Sequence, residues 1–202
     1  MTSDAHSISI WREQFSYSFN GFLPDIWLLC VTQETVSGLL WNVHQDKAKV
    51  RFHCKNCGNG WTSMKGRVIF WYTMNLYQRQ GICLMRRYGQ QCKNCSNPST
   101  FEVPMWYPEE IVKVLTNLFY KVGQTYYGFK TDFVYRKLRV GKPRTEHNKS
   151  LCQACQDGAC VFNTDKMSSL PSPSSSLGSS NDIKVQYSHH IVNYGIWPPY
   201  YV

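Results

Sequence analysis

The sequence predicts an α+β fold: a small antiparallel sheet, one amphipathic helix packed on it, and a disordered C-terminal tail. Three observations in the 202 residues carry this expectation. Lys47 to His53 alternates strictly between polar and apolar residues. The stretch after Pro108 repeats apolar residues at helical spacing, and three Cys-x-x-Cys pairs punctuate the chain at 54/57, 92/95 and 152/155.

Residues 1–46 read as an aromatic-rich arm that packs on the core, with Trp11, Phe15 and Phe19 spaced for one face of a short helix. In the following run Ala48, Val50 and Phe52 fall on one face of a strand, and Lys47, Lys49, Arg51 and His53 on the other. That strand delivers the chain to Cys54. Gly58 and Gly60 permit a reversal, after which Val68–Met74 and Ile82–Tyr88 read as two more strands joined through Gln80-Gly81. Pro108, Glu109 and Glu110 open a helix whose apolar positions are Ile111, Leu115, Leu118 and Val122, closed by Lys121 and Gly123. Phe133–Val140 reads as a further strand, followed by a basic turn at residues 141–144. The zinc-finger region thus spans 47–165, a Ser/Pro-rich linker 166–182 and an aromatic tail 183–202.

Composition narrows the class. No basic n-region precedes an apolar run at the start, so a cytosolic chain is expected, associated with endoplasmic reticulum or plasma membrane only through partners. The most apolar short stretch, residues 22–31, is broken by Pro24 and Asp25, far short of the roughly 20 residues of a membrane span. Nine cysteines in a reducing compartment point to metal, since an odd number cannot pair completely within one chain.

Two thiolates two residues apart aim at a common point, so a CxxC turn supplies half of a tetrahedral zinc site. His147 and Cys160 flank the third pair, which brings the donors to eight: Cys54, Cys57, Cys92, Cys95, His147, Cys152, Cys155 and Cys160. Eight donors suffice for two closed structural zinc sites in a zinc-ribbon-like sheet. The simplest partition joins the first two knuckles and leaves His147 to Cys160 as the second site; an interleaved partition uses the same donors. A closed site has no position for water or substrate, so the expected protein is not an enzyme. Cys30 and Cys83, in apolar surroundings, read as core thiols, and His53 reads as solvent-facing.

The chain carries a formal charge of +9, and residues 47 to 93 contain no Asp or Glu. Two zinc sites would lower the folded charge to about +6. Lys47, Lys49, Arg51, Lys55, Lys65, Arg67, Arg86 and Arg87 form a candidate basic face for an acidic partner or an anionic membrane surface.

Residues 51–57 with Trp61-Thr-Ser63, residues 85–95, Phe101-Glu102, the helix at 111–118, Tyr126-Tyr-Gly128 and the His147 to Cys160 cluster together resemble the receptor-transporting protein family and its three-CxxC zinc finger. The resemblance covers about residues 8–160. It implies a zinc-binding, chaperone-like accessory protein that helps G-protein-coupled receptors of odorant, taste or opioid type leave the endoplasmic reticulum for the cell surface. The hydrophobic tail anchor usual in that family is not expected here.

Other readings use the same residues. Basic side chains interleaved with Trp61, Phe70, Trp71, Tyr72 and Tyr77 suit a zinc ribbon that binds RNA, with an antiviral role, by stacking on single-stranded bases. A thiol oxidoreductase would need an exposed CxxC in a thioredoxin-like βαβ setting, which the pattern lacks. Pro198-Pro-Tyr-Tyr201 matches a motif that WW domains bind as polyproline II.

Overall fold

The computed structural model describes residues 3–95, 100–130 and 146–160. The predicted strand at Phe133–Val140, the basic turn at 141–144, the Ser/Pro linker, the aromatic tail and its WW-type motif lie outside the described residues.

Helix α1, Ser3–Phe19, opens the chain and passes through a single 3-10 turn at Asn20–Phe22 into strand β1, Ile26–Val31. Strands β2 (Asn42–His53), β3 (Gly60–Asn75) and β4 (Gln80–Arg87) follow, then the short β5 (Met105–Trp106). Helix α2, Pro108–Tyr126, and the single-turn α3, Gln153–Gln156, complete the set. The sheet order is β1-β4-β3-β2-β5.

The sheet is mixed, which corrects the antiparallel expectation: β1 runs parallel to β4, with Ile26 opposite Gln80 and Val31 opposite Met85. The cause lies upstream. The 3-10 turn sets the start of β1 beside the β3–β4 turn, where the Ile26 N–H donates to the Arg79 carbonyl at 2.9 Å. A hairpin at this position would have given an antiparallel pair; a partner more than 50 residues away need not.

Alternation along each strand divides the molecule into layers. Val68, Phe70 and Tyr72 of β3, with Cys83 and Met85 of β4, face α1 and α2. Ile69 and Trp71 face the opposite side, where Tyr88, Cys152 and Ala154 cover them. The strand expected at 47–53 is present with Ala48, Val50 and Phe52 buried, and it begins five residues earlier, at Asn42.

Helix α1 contributes Trp11, Phe15 and Phe19, all buried, and Trp11 meets Trp106 edge to face with centroids 5.2 Å apart. Pro108 takes the first turn of α2, where its missing N–H costs nothing. Ile111, Leu115, Leu118 and Val122 are buried as the spacing predicts.

Two turn assignments need correction. Gly123 does not end α2, which continues to Tyr126; a Cβ on Gly123 would lie 2.3 Å from the Phe129 ring, so its small size serves packing. Nor do Gln80 and Gly81 form the β3–β4 turn. Residues 76–79 form it, with Arg79 left-handed at φ 54° and Asn75 Oδ1 accepting from the N–H groups of Tyr77 and Gln78.

Gly81 lies inside β4, where the Trp27 ring crosses its backbone and leaves only 2.3 Å for a Cβ. Gly81→Ala is therefore expected to cost about 1–3 kcal/mol through overpacking. The test is the urea midpoint at unchanged slope; an unaltered midpoint would mean that Trp27 moves aside freely.

Candidate metal centres

The chain reaches the first cluster from the end of β2. The Cys54 N–H donates to the Asn59 carbonyl at 2.8 Å and the Gly58 N–H to the Cys54 carbonyl at 3.0 Å, which closes the knuckle through Gly58 at φ 71°. Cys92 and Cys95 arrive just past β4. Cys54 Sγ lies 3.5 Å from Cys95 Sγ, and Cys57 Sγ lies 3.7 Å from Cys92 Sγ. Four sulfurs each about 2.3 Å from one zinc would stand about 3.8 Å apart, so these two separations already match edges of a zinc tetrahedron.

The second cluster is local in sequence. Cys152 caps the short α3 and Cys155 lies within it, and the Cys160 N–H donates to the Ala154 carbonyl at 2.9 Å, turning the chain back toward the pair. His147 Nε2 comes within 3.2 Å of Cys155 Sγ. Within each cluster all donor atoms lie within 4.8 Å of one another, which selects the simple partition over the interleaved one.

Titration in the metal-free clusters is uneven. The Cys57 N–H pulls the Cys54 thiol down, but burial and the Cys95 and Cys57 sulfurs outweigh it and push the thiol up to about 12. Burial also raises Cys92, yet the Asn94 N–H and the sulfurs of Cys57 and Cys54 bring it down to about 7. Burial, with the Cys160 sulfur, raises Cys155 to about 12. Burial and the charges of Lys65, Lys149 and Arg67 lower His147, keeping the imidazole neutral as a metal ligand must be.

Outer contacts hold the donors in place, as ligand orientation requires. Asn56 and Asn59 direct amide N–H groups at Cys95 and Cys92 Sγ, and buried Glu102 accepts the Lys55 N–H at 2.9 Å. Gln90 and Gln91 tie the two clusters together: Gln90 bridges to both Glu102 and Cys152, and the Gln91 N–H donates to the Leu151 carbonyl at 2.8 Å. Sequence reasoning assigned no role at the metal to Asn56, Asn59, Gln90 or Gln91, because an Asn or Gln beside a knuckle has no ligand signature of its own.

The remaining expectations divide. Cys83 is fully enclosed and burial drives its thiol well above the ordinary range, as a core thiol requires. Cys30 is only half-buried, because it points to the opposite face of β1, and His53 is exposed. Lys47, Arg51, Lys55 and Lys65 are exposed, while Lys49 and Arg67 are partly covered.

Arg86 and Arg87 do not belong to a basic surface. Both are buried: Arg86 pairs with Asp157 at 2.5 Å, and Arg87 with Asp4 at 2.9 Å. Consecutive strand residues point to opposite faces, so Arg86 reaches the zinc side and Arg87 reaches α1.

A zinc-binding domain, the three-CxxC zinc ribbon, matches residues 47–158. The chain belongs to this zinc-ribbon family. Among its curated relatives are receptor-transporting proteins, which bears out the resemblance read from the motifs. It is 28% identical over 164 residues to receptor-transporting protein 4 of Mus musculus, covering 76% of this chain and 66% of that protein. Human receptor-transporting protein 4 is 28% identical over 136 residues, 66% of this chain and 55% of that protein. Mouse receptor-transporting protein 2 is 29% identical over 154 residues, 73% of this chain and 68% of that protein. The chain thus spans between about half and two thirds of the relatives it matches. No solved structure matches it.

The donor sets and their spacing fit two zinc ions, and as a three-CxxC zinc ribbon the protein would hold one on each cluster. With four donors each, the sites are closed and their chemistry is structural. Among the described residues, no helix is long and apolar enough to cross a membrane.

Proposed function

We propose that this protein is a non-catalytic, zinc-scaffolded accessory factor that promotes movement of G-protein-coupled receptors, of odorant, taste or opioid type, from the endoplasmic reticulum to the cell surface. The observation that carries the reading is the pair of closed four-donor clusters in a chain whose relatives are named receptor-transporting proteins. Closed sites leave zinc a scaffolding role, so the work falls to surfaces that the metals hold in place. The receptor class and the route come from the family resemblance.

The test is surface display of a co-expressed odorant-type receptor beside wild type, Cys54→Ser and Cys152→Ser, with zinc measured in each purified chain. Both variants are expected to lose about one zinc and most of the gain in display. Undiminished display with both sites emptied would refute the reading.

A further inference from the structure

A groove of about 660 Å³ runs along the start of β3 and reaches the second cluster at His147. Trp61 lies in its wall, stacked on Phe52 with centroids 5.2 Å apart, its Nε1–H held by Gln90 Oε1 at 3.0 Å. Among the described residues, Lys49, Lys65 and Lys93 line the groove against a single carboxylate, Glu146. The rest of the polar lining is mostly amide and hydroxyl, with Gln90 Nε2 fixed by Ser63 Oγ at 3.1 Å. Four stretches build it: Lys49 of β2, the start of β3, the segment around the second knuckle, and residues 146–151.

We propose that this groove binds an extended acidic peptide segment, a short run of Asp or Glu carboxylates, carried by the receptor client; this rests on the trafficking reading above. Lysine ammoniums meet carboxylates as point charges, and side-chain amides match the donors and acceptors of an extended main chain. A nucleic acid fits less well. Among the described residues the lining holds no arginine to fork onto phosphate, and Trp61 already has Phe52 against it, whereas a single strand needs successive stacking platforms. The volume suits a few residues of peptide.

The test uses the full, zinc-loaded chain and a fluorescently labelled oligoglutamate peptide at low ionic strength. Lys49→Glu/Lys65→Glu is expected to weaken binding by about tenfold or more with both zincs retained. Lys121→Glu/Lys130→Glu, an equal charge change outside the groove lining, is expected to weaken it by less than about twofold. If charge reversal costs metal, Lys49→Gln/Lys65→Gln reads the same contrast. Equal weakening by both pairs, absence of binding, or displacement of the peptide by a lower concentration of single-stranded RNA would each overturn the proposal. Peptide binding and receptor display fail separately: a chain that displays receptor without binding the peptide leaves the trafficking reading standing and removes only this one.

Discussion

A chelator strong enough to strip both metals is expected to leave a chain that no longer unfolds cooperatively. The first cluster ties the end of β2 to the segment past β4 and the second closes the loop from His147 to Cys160, and zinc at such a closed site contributes on the order of 10 kcal/mol of folding free energy. Domains are stable by only about 5–15 kcal/mol in all. The two sites should fail differently. Loss of the second in Cys152→Ser uncovers Ile69, Trp71 and Tyr88, so tryptophan emission should shift to the red. Helices α1 and α2 pack on the other face of the sheet, so the helical far-UV signal should survive. Loss of the first in Cys54→Ser detaches the end of β2 from the second knuckle and should diminish both signals. Helical signal lost equally in the two variants would contradict the two-sided layering.

Acidity acts in the same direction as the chelator. Zinc must displace protons from the Cys54 and Cys155 thiols, which without metal lie at about 12. Lower pH therefore favours the metal-free form, and zinc release should begin as pH falls below neutrality.

Asp157→Ala is expected to destabilise the protein by about 3 kcal/mol, the lower end of the range for stranding a buried charge because Asp157 is itself partly exposed. The Arg86 side chain is only 9% exposed, and its guanidinium is held by Asp157, by Thr35 Oγ1 at 2.6 Å and over the Tyr88 ring at 4.6 Å. Removing the carboxylate leaves the cation with neutral partners only. The double variant Arg86→Met/Asp157→Ala should recover most of the loss, because it removes the stranded charge as well. Urea midpoints for the two single variants and the double variant measure this directly. A double variant no more stable than Asp157→Ala would show that the aspartate acts through the zinc knuckle rather than through charge.

What could be read from the sequence depended on whether the signal was local. The eight donors announce themselves by spacing, and their clustering by fours follows from the strand that leads into Cys54 and the loop that brings His147 to Cys160. Helix α2 is legible because its buried residues keep one period. Strand β1 is not: Ile-Trp-Leu-Leu-Cys-Val is apolar throughout, so its alternation of exposed Ile26 and Leu28 with buried Trp27 and Leu29 leaves no trace in hydropathy. Arg86 and Arg87 looked like surface charge because their counter-ions, Asp157 and Asp4, lie more than 70 residues away in opposite directions. The groove is likewise assembled from four separate stretches, and the motifs some of them carry announce metal ligands rather than a groove.

The adjacency of Arg86 and Arg87 has a meaning beyond the two ion pairs. Their side chains leave one strand in opposite directions and lock two different layers, so the parity of β4 is itself structural information. One residue inserted between Gly81 and Arg86 would send each guanidinium to the layer that expects the other, and both layers would lose their anchor at once. Helix α1 and the zinc knuckle never need to touch for one to depend on the other. A shift of a single position in the strand between them would be felt by both.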